Sequence, residues 1–411
     1  MNRHLFSIGL ALTLSCTQAM ATTLVDNAQS LQSAINAANT NTSISEIVFA
    51  ENAKIKLNAP VIYTGTQSLA LLGNNAIIDG SAAGNFKIAE DLTAVTTDAS
   101  LIFNSAANLH FSQLTIVNSA SRGLLVNIPD KAKGDDISIV MNQVKIIGSA
   151  LYGLHIDDNA NEFDEGQMGS DIGINLVIKH STFTNNGIGA IDFDGVRVDE
   201  RGPGSIQAFI TDTKIDSNGG DGIELDEAGS GDVNVTMIDV SVSNNGFYNT
   251  LDLDDGFDID EAGDGNITAT LLNLVVNNNL DEGLDFDESG DGDVLVKMHQ
   301  IVAEHNSDEG IKIDEEDAGN IQTLLSNITV NNSGDDGLQL TELGEGNIQG
   351  QLIDVTITQS TKLGLKAEMW NQEDETTTSE TAGSLQISRL VLLNNGKGDK
   401  PGVNNINVIE Q

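Results

Sequence analysis

Carboxylates at a fixed spacing are the most conspicuous chemical groups in this chain of 411 residues. Asp221-Gly222-Ile223-Glu224-Leu225-Asp226-Glu227 returns as Asp255-Gly256-Phe257-Asp258-Ile259-Asp260-Glu261 and as Glu282-Gly283-Leu284-Asp285-Phe286-Asp287-Glu288. A further copy reads Glu309-Gly310-Ile311-Lys312-Ile313-Asp314-Glu315. Successive side chains of an extended strand face opposite sides, so the apolar residues one and three places after each glycine point inward together. Residues two and four places after it then point out. This puts Glu224, Asp258 and Asp285 in one column, and Asp157, Asp194, Asp226, Asp260, Asp287 and Asp314 in a second. Glu227, Glu261, Glu288, Glu315 and Glu342 extend the acidic face by one place. Between Asp221 and Glu345 stand 31 acids against Lys297 and Lys312, so charge balance needs ions from outside the chain.

Carboxylates stacked about 4.8 Å apart repel by roughly 1 kcal/mol in water and about 3.5 kcal/mol at an effective dielectric of 20. Oxygen-only donors without His or Cys suit a hard cation, and Ca²⁺ bridging neighbouring strands would offset the repulsion. The candidate ligands are Asp226, Asp258, Asp260, Asp264, Asp285, Asp287, Asp291 and Asp314. Asp258-x-Asp260-x-x-Gly263-Asp264 and Asp285-x-Asp287-x-x-Gly290-Asp291 have the spacing of a calcium loop. They lack the closing glutamate and the flanking helices of an EF-hand, which excludes that motif. The alternative is a solvated acidic face that holds no metal.

A second group stands where the repeat is broken, with insertions expected at 158–169 and 195–204. Around them lie Tyr152, His155, Asp157, Asp192, Asp194, Arg197, Asp199, Glu200 and Arg201. His155, Asp192, Asp194, Arg197 and Arg201 are the candidates for catalysis. A lyase of uronate polymers needs a cation on the substrate carboxylate and a base for the neighbouring proton, which Arg197 with His155 or Tyr152 could supply. A hydrolase would use two carboxylates, such as Asp192 and Asp194. The plainer reading pairs Arg197 and Arg201 with Asp199 and Glu200 on a solvated loop.

The formal charge of −42 excludes nucleic acid as a partner, because the surface would repel phosphates. Divalent cations are the partners that such a surface attracts, with polysaccharide a further candidate. Arg3-His4, the apolar run Leu5 to Leu14 and Ala19-Met20-Ala21 read as a cleaved export leader, 1–21, and the run is too short to span a bilayer. The expected destination is the periplasm or the exterior, with no membrane insertion.

The elements that must position these residues follow from the repeat. Gly256, Gly283, Gly310, Gly337 and Gly364 are each 27 residues apart, and Gly222 to Gly256 is one such interval plus a seven-residue insertion. Each interval holds a short alternating strand after the glycine and a longer apolar run, such as 321–330, that bends into two. No useful helix fits between them, so each repeat reads as one coil of a parallel β-helix. Four places before the repeat glycines, once the seven-residue insertion after Asn245 is allowed for, stand Asn218, Asn245, Asn279, Asn306, Ser333 and Ser360, a column suited to hydrogen bonding from coil to coil. Leu31, Ala34, Ile35 and Ala38 have helical spacing and suit an N-terminal cap.

The repeated Asn-x-x-x-Gly unit, with the opening Leu31, Ala34-Ile35, Ala38-Asn39, Ile47-Val48-Phe49 and Gly80, resembles the right-handed parallel β-helix proteins of the pectin-lyase-like superfamily. That resemblance implies fold, not activity, since the superfamily holds lyases, hydrolases, epimerases and passive stalks. Polygalacturonase and pectate-lyase signatures are missing, and Tyr152-Gly153-Leu154-His155-Ile156-Asp157 differs in order from the epimerase Tyr-Gly-x-Asp-Pro-His. The expectation is therefore all-β: a leader (1–21), a cap with the first coils (22–80), a β-helix of roughly 10–12 coils over 81–396, regular about 250–364, and a tail (397–411). The expected role is a calcium-binding surface, matrix or carbohydrate-binding protein without catalysis; the alternative is a lyase or hydrolase of an acidic polysaccharide.

Overall fold

A computed structural model describes residues 24–84, 98–159, 169–189, 191–248, 253–371 and 382–411. The expected leader lies outside them, as does most of the insertion expected after Asp158. The described chain winds as a right-handed parallel β-helix. Every strand pairs parallel with its counterpart one coil on, in one sheet of 12 short strands and one of 18. The short sheet runs from Val61–Tyr63 to Gly402–Asn404 and marks twelve coils. It carries the strands that follow the repeat glycines. The long strands, such as Val233–Ser243 and Ile267–Asn277, bend at one left-handed residue, Asp239 (φ 57°) or Asn273 (φ 56°). Each regular coil thus has the three segments expected, and its inward residues (Ile223 and Leu225, Phe257 and Ile259) are fully buried.

The polar column is a ladder. The amide oxygen of Asn218 accepts from the backbone N–H of Asn186 (3.1 Å) and its Nδ2 (3.0 Å), and Asn218 makes the same bonds to Asn245 at 3.1 and 2.9 Å. The pattern continues through Asn279 to Asn306. The left-handed residue at this corner is the one before the ladder: Ser217, Asn244, Asn278, His305 and Asn332 all have φ near +60°. The ladder asparagines are kept for their amides rather than for turn geometry. Asn279→Ala would strip two donors of Asn245, in the preceding coil, of their acceptor, an expected loss of about 2–3 kcal/mol; a urea melt unchanged from wild type would contradict this.

The N-terminal end is closed as the physics of an open solenoid requires. The helix Ala28–Ala38 buries Leu31, Ala34, Ile35 and Ala38, and Asn27 caps it by accepting from the Ser30 N–H at 2.9 Å. At the other end the segment expected as a tail forms a coil. Gly402–Asn404 pairs with Lys366–Glu368, and Ile406–Glu410 with Gly383–Ile387.

Candidate functional site

The short sheet carries the acids, and its register corrects one column. Asp157 pairs with Asp199, not Asp194, and the column continues through Asp226, Asp260, Asp287 and Asp314 to Thr341. Gly195 is the repeat glycine of that coil, 27 residues before Gly222, and a Cβ on Gly153 would meet the Gly195 carbonyl. The insertion therefore precedes Gly195, and 195–204 is not a loop: it contains the regular strand Val196–Glu200. Asp194 belongs to a column just before the glycines. There each carboxylate accepts the backbone N–H of its successor: Asp194 from Asp221 (2.8 Å), Asp221 from Asp255, and Asp255 from Glu282 (2.7 Å).

Two basic nodes punctuate the acids. Arg197 is buried and meets Asp199 (2.7 Å), Glu224, Asp226 (3.0 Å) and, at 3.9 Å, Asp194. Arg201 bonds Asp226 and lies 3.3 Å from Asp199. Lys312 reaches Asp285 (2.8 Å), Asp287 (3.1 Å), Glu282 (3.6 Å) and Asp314 (3.9 Å). Burial alone would lower the Lys312 pKa, but these carboxylates hold it above the ordinary lysine range. The arginines sit in a sheet among partners, so the solvated-loop reading gives way to a buried ion network.

Between the nodes, carboxylate oxygens converge. Those of Asp221, Glu224 and Asp258 lie within 4.8 Å of one another, as do those of Asp255, Asp258 and Asp285. Burial, then the neighbouring acids, pushes Asp255 and Asp258 well above the usual carboxylate range. Burial with Asp226 and Asp287 pushes Asp260 up to about 7, and burial with Asp287 does the same for Asp314. Of the sequence candidates, Asp258 and Asp285 enter these clusters, Asp285 while also bonding Lys312; Asp226, Asp287 and Asp314 face the basic nodes, Asp260 lies in the column between Asp226 and Asp287, and Asp264 and Asp291 stand exposed on turns. The donors are all hard oxygens with anionic charge in excess, which fits Ca²⁺.

The broken coils build a different centre. Arg122 Nε donates to His155 Nδ1 at 3.0 Å, so that nitrogen accepts, and the ring proton on Nε2 points to Asp199 Oδ2 at 2.7 Å. Burial pulls the His155 pKa down to about 4 despite the bond to Asp199, so the ring is neutral at neutral pH. Burial would raise Asp199, but Arg197, His155 and Arg201 outweigh it and hold its carboxyl far below the usual range. Burial and Asp199 push Asp157 up to about 7. Tyr152 packs at a tilt against His155 (centroids 4.4 Å) and Phe193 (4.7 Å). Asp192 and Asp194 do come together, their oxygens within 4.8 Å of each other and of Glu224, but Asp194 is fully buried. Arg122 was missed in the sequence; it stands directly before a repeat glycine, a place held by acids in the coils from Asp194 to Asp336.

No protein-family model matches the sequence, and no curated protein matches it. Among solved structures, a periplasmic alginate epimerase is 11% identical over 94% of this chain and 84% of its own, with a TM-score of 0.49. A mannuronan C-5 epimerase A-module from Azotobacter vinelandii is 13% identical over 96% of both chains, TM-score 0.43. The catalytic domain of an α-1,3-glucanase is 11% identical over 92% of this chain and 66% of its own, TM-score 0.39. By its own strand register, this chain has the right-handed parallel β-helix fold of the pectin-lyase-like proteins that its sequence resembles.

Proposed function

We propose that the protein is an exported, calcium-binding β-helix that works without catalysis at a surface or in a matrix and binds acidic polysaccharide through shared Ca²⁺. The observation that carries this is the pair of convergent clusters, Asp221/Glu224/Asp258 and Asp255/Asp258/Asp285, on the stretch between Arg197 and Lys312. Those five residues would hold the ions, and Ca²⁺ would supply charge neutralisation and open coordination places for sugar carboxylates and hydroxyls. An anionic polymer would otherwise be repelled by this flank. No helix among the described residues is long and apolar enough to cross a membrane.

A lyase or hydrolase of uronate polymers is the competing reading, drawn from the convergence of Tyr152, His155, Asp199 and Arg197. Its parts are already engaged. Both His155 ring nitrogens have partners, and Arg197 is ringed by four carboxylates.

Calcium titrated into chelator-treated protein should raise its stability by about 2.7 kcal/mol at a hundred times the Kd. Ca²⁺ binds the ionised acids. Groups whose folded pKa is raised lend stability below their unfolded pKa and lose it as pH rises through the folded value, near 7 for Asp260. The calcium effect should therefore be larger at pH 8 than at pH 5. A melting temperature indifferent to Ca²⁺ would refute the metal reading. Polyuronate retained with Ca²⁺ and released by chelator supports the binding role; unsaturated or reducing ends in that assay would favour the enzyme.

A further inference from the structure

The glutamates expected on the outer face are inside. Glu200, Glu227, Glu261, Glu288, Glu315 and Glu342 pair in register from coil to coil, and none is more than 1% exposed. Each glutamate still belongs to its strand, and its side chain lies on the inner side beside a corner made by glycines. Backbone N–H groups there point at the carboxyls: Gly229 and Gly231 to Glu227 (3.0 and 3.2 Å), and Gly344 and Gly346 to Glu342 (3.0 and 2.8 Å). One oxygen of Glu227, Glu261 and Glu342, and both oxygens of Glu288 and Glu315, have no donor if the groups are ionised. From Glu227 to Glu315 each faces the carboxyl of a neighbouring coil instead. Glu261 is within side-chain hydrogen-bond reach of Glu227 and Glu288, and Glu288 of Glu315.

The groups that face this column are acids and backbone amides. Asp158 stands beside Glu200, and Asp293 and Asp317 stand near Glu315. A bare row of buried anions would be ruinous. A Ca²⁺ ion wants six or more oxygens, which a single file of carboxyls with N–H groups already turned towards it does not offer. A shared proton needs only two oxygens.

We propose that these glutamates form a proton-sharing ladder, in which neutral carboxyls donate O–H to the free oxygen of the next coil and fasten the corner of coils 200–342. Consistent with this geometry, burial and the adjacent glutamates push Glu227 up to about 11 and Glu288 to about 10. The ladder binds protons that the unfolded chain would release, so the stability it lends is full below the unfolded glutamate pKa and declines as the pH rises towards the folded values.

The test uses the full chain in chelator, so failure of the calcium reading leaves it intact. In a Glu261→Gln/Glu288→Gln/Glu315→Gln variant, amides replace the neutral acids and cannot ionise. It should melt about 5 °C above wild type at pH 9 and show a shallower fall with pH. A variant with the wild-type pH slope would overturn the proposal, as would a Ca²⁺-induced rise present in wild type and absent from the variant. If the triple variant does not fold, infrared spectra of wild type and of the single Glu288→Gln variant at pH 7 decide. A protonated-carboxyl band weaker in Glu288→Gln than in wild type supports the ladder, and bands of equal strength overturn it.

Discussion

Arg197→Met should cost the fold about 3–5 kcal/mol in chelator. The guanidinium is buried against Asp199, Glu224, Asp226 and Asp194, and methionine fills similar volume while leaving those carboxylates facing one another. The loss therefore comes from stranded charge rather than from a cavity. It has a signature that a packing defect lacks. Acids freed from an internal cation become a better trap for an external one, so Ca²⁺ should restore more stability to the variant than it adds to wild type. Arg197→Lys, which keeps the charge but not the planar fork, should fall between. Equal denaturation midpoints for wild type and Arg197→Met in chelator would show that the node contributes nothing.

An equally large loss is expected from one methyl group. A Cβ at Gly265 would lie 1.6 Å from the Gly231 carbonyl oxygen and 2.7 Å from Glu261 Oε1. The nearer obstacle is backbone, fixed between stacked coils, and Gly231 in turn crowds the Gly204 carbonyl. No side-chain rotation relieves the contact, so Gly265→Ala should lose about 4 kcal/mol or more. The register would open at this corner first, and the carboxyl of Glu261, which accepts from the Gly265 N–H at 3.2 Å, would lose a partner. Chemical denaturation within about 1 kcal/mol of wild type would mean that the coils can spread, contrary to their stacking.

The regular third of the molecule could be read from its period alone, because identical coils repeat identical constraints: Phe257 and Ile259 face in for the reason that Ile311 and Ile313 do. The broken coils could not. Ala190-Ile191 imitates the start of a strand in sequence, and only the approach of Gly153 to the Gly195 carbonyl shows that the strand begins at Val196. Asp194 was thereby assigned to the wrong column and Asp199 left out of it. The glutamate column was misread for a different reason. Strict alternation places the fifth residue after the glycine inward, yet burying a file of carboxyls looks forbidden until the amides of the glycine turn are seen beside it. Arg122 reaches His155 across 33 positions in the chain, a contact that no local pattern announces.

The in-register stacking also bears on how such a chain changes its length over generations. Each regular coil presents the same groups to the coil before it and the coil after it, from Asn279 in the ladder to Gly265 at the tight corner. A tandem duplication of 27 residues, such as 257–283, would therefore find its partners ready-made on both sides. It would lengthen the rod by one step of about 4.8 Å and add a rung to every column at once. Gains and losses of other sizes fall out of phase and survive only where a coil can bulge, as between Asn186 and Gly195. Length and the number of stacked carboxylates are coupled in this architecture, and both change in whole coils.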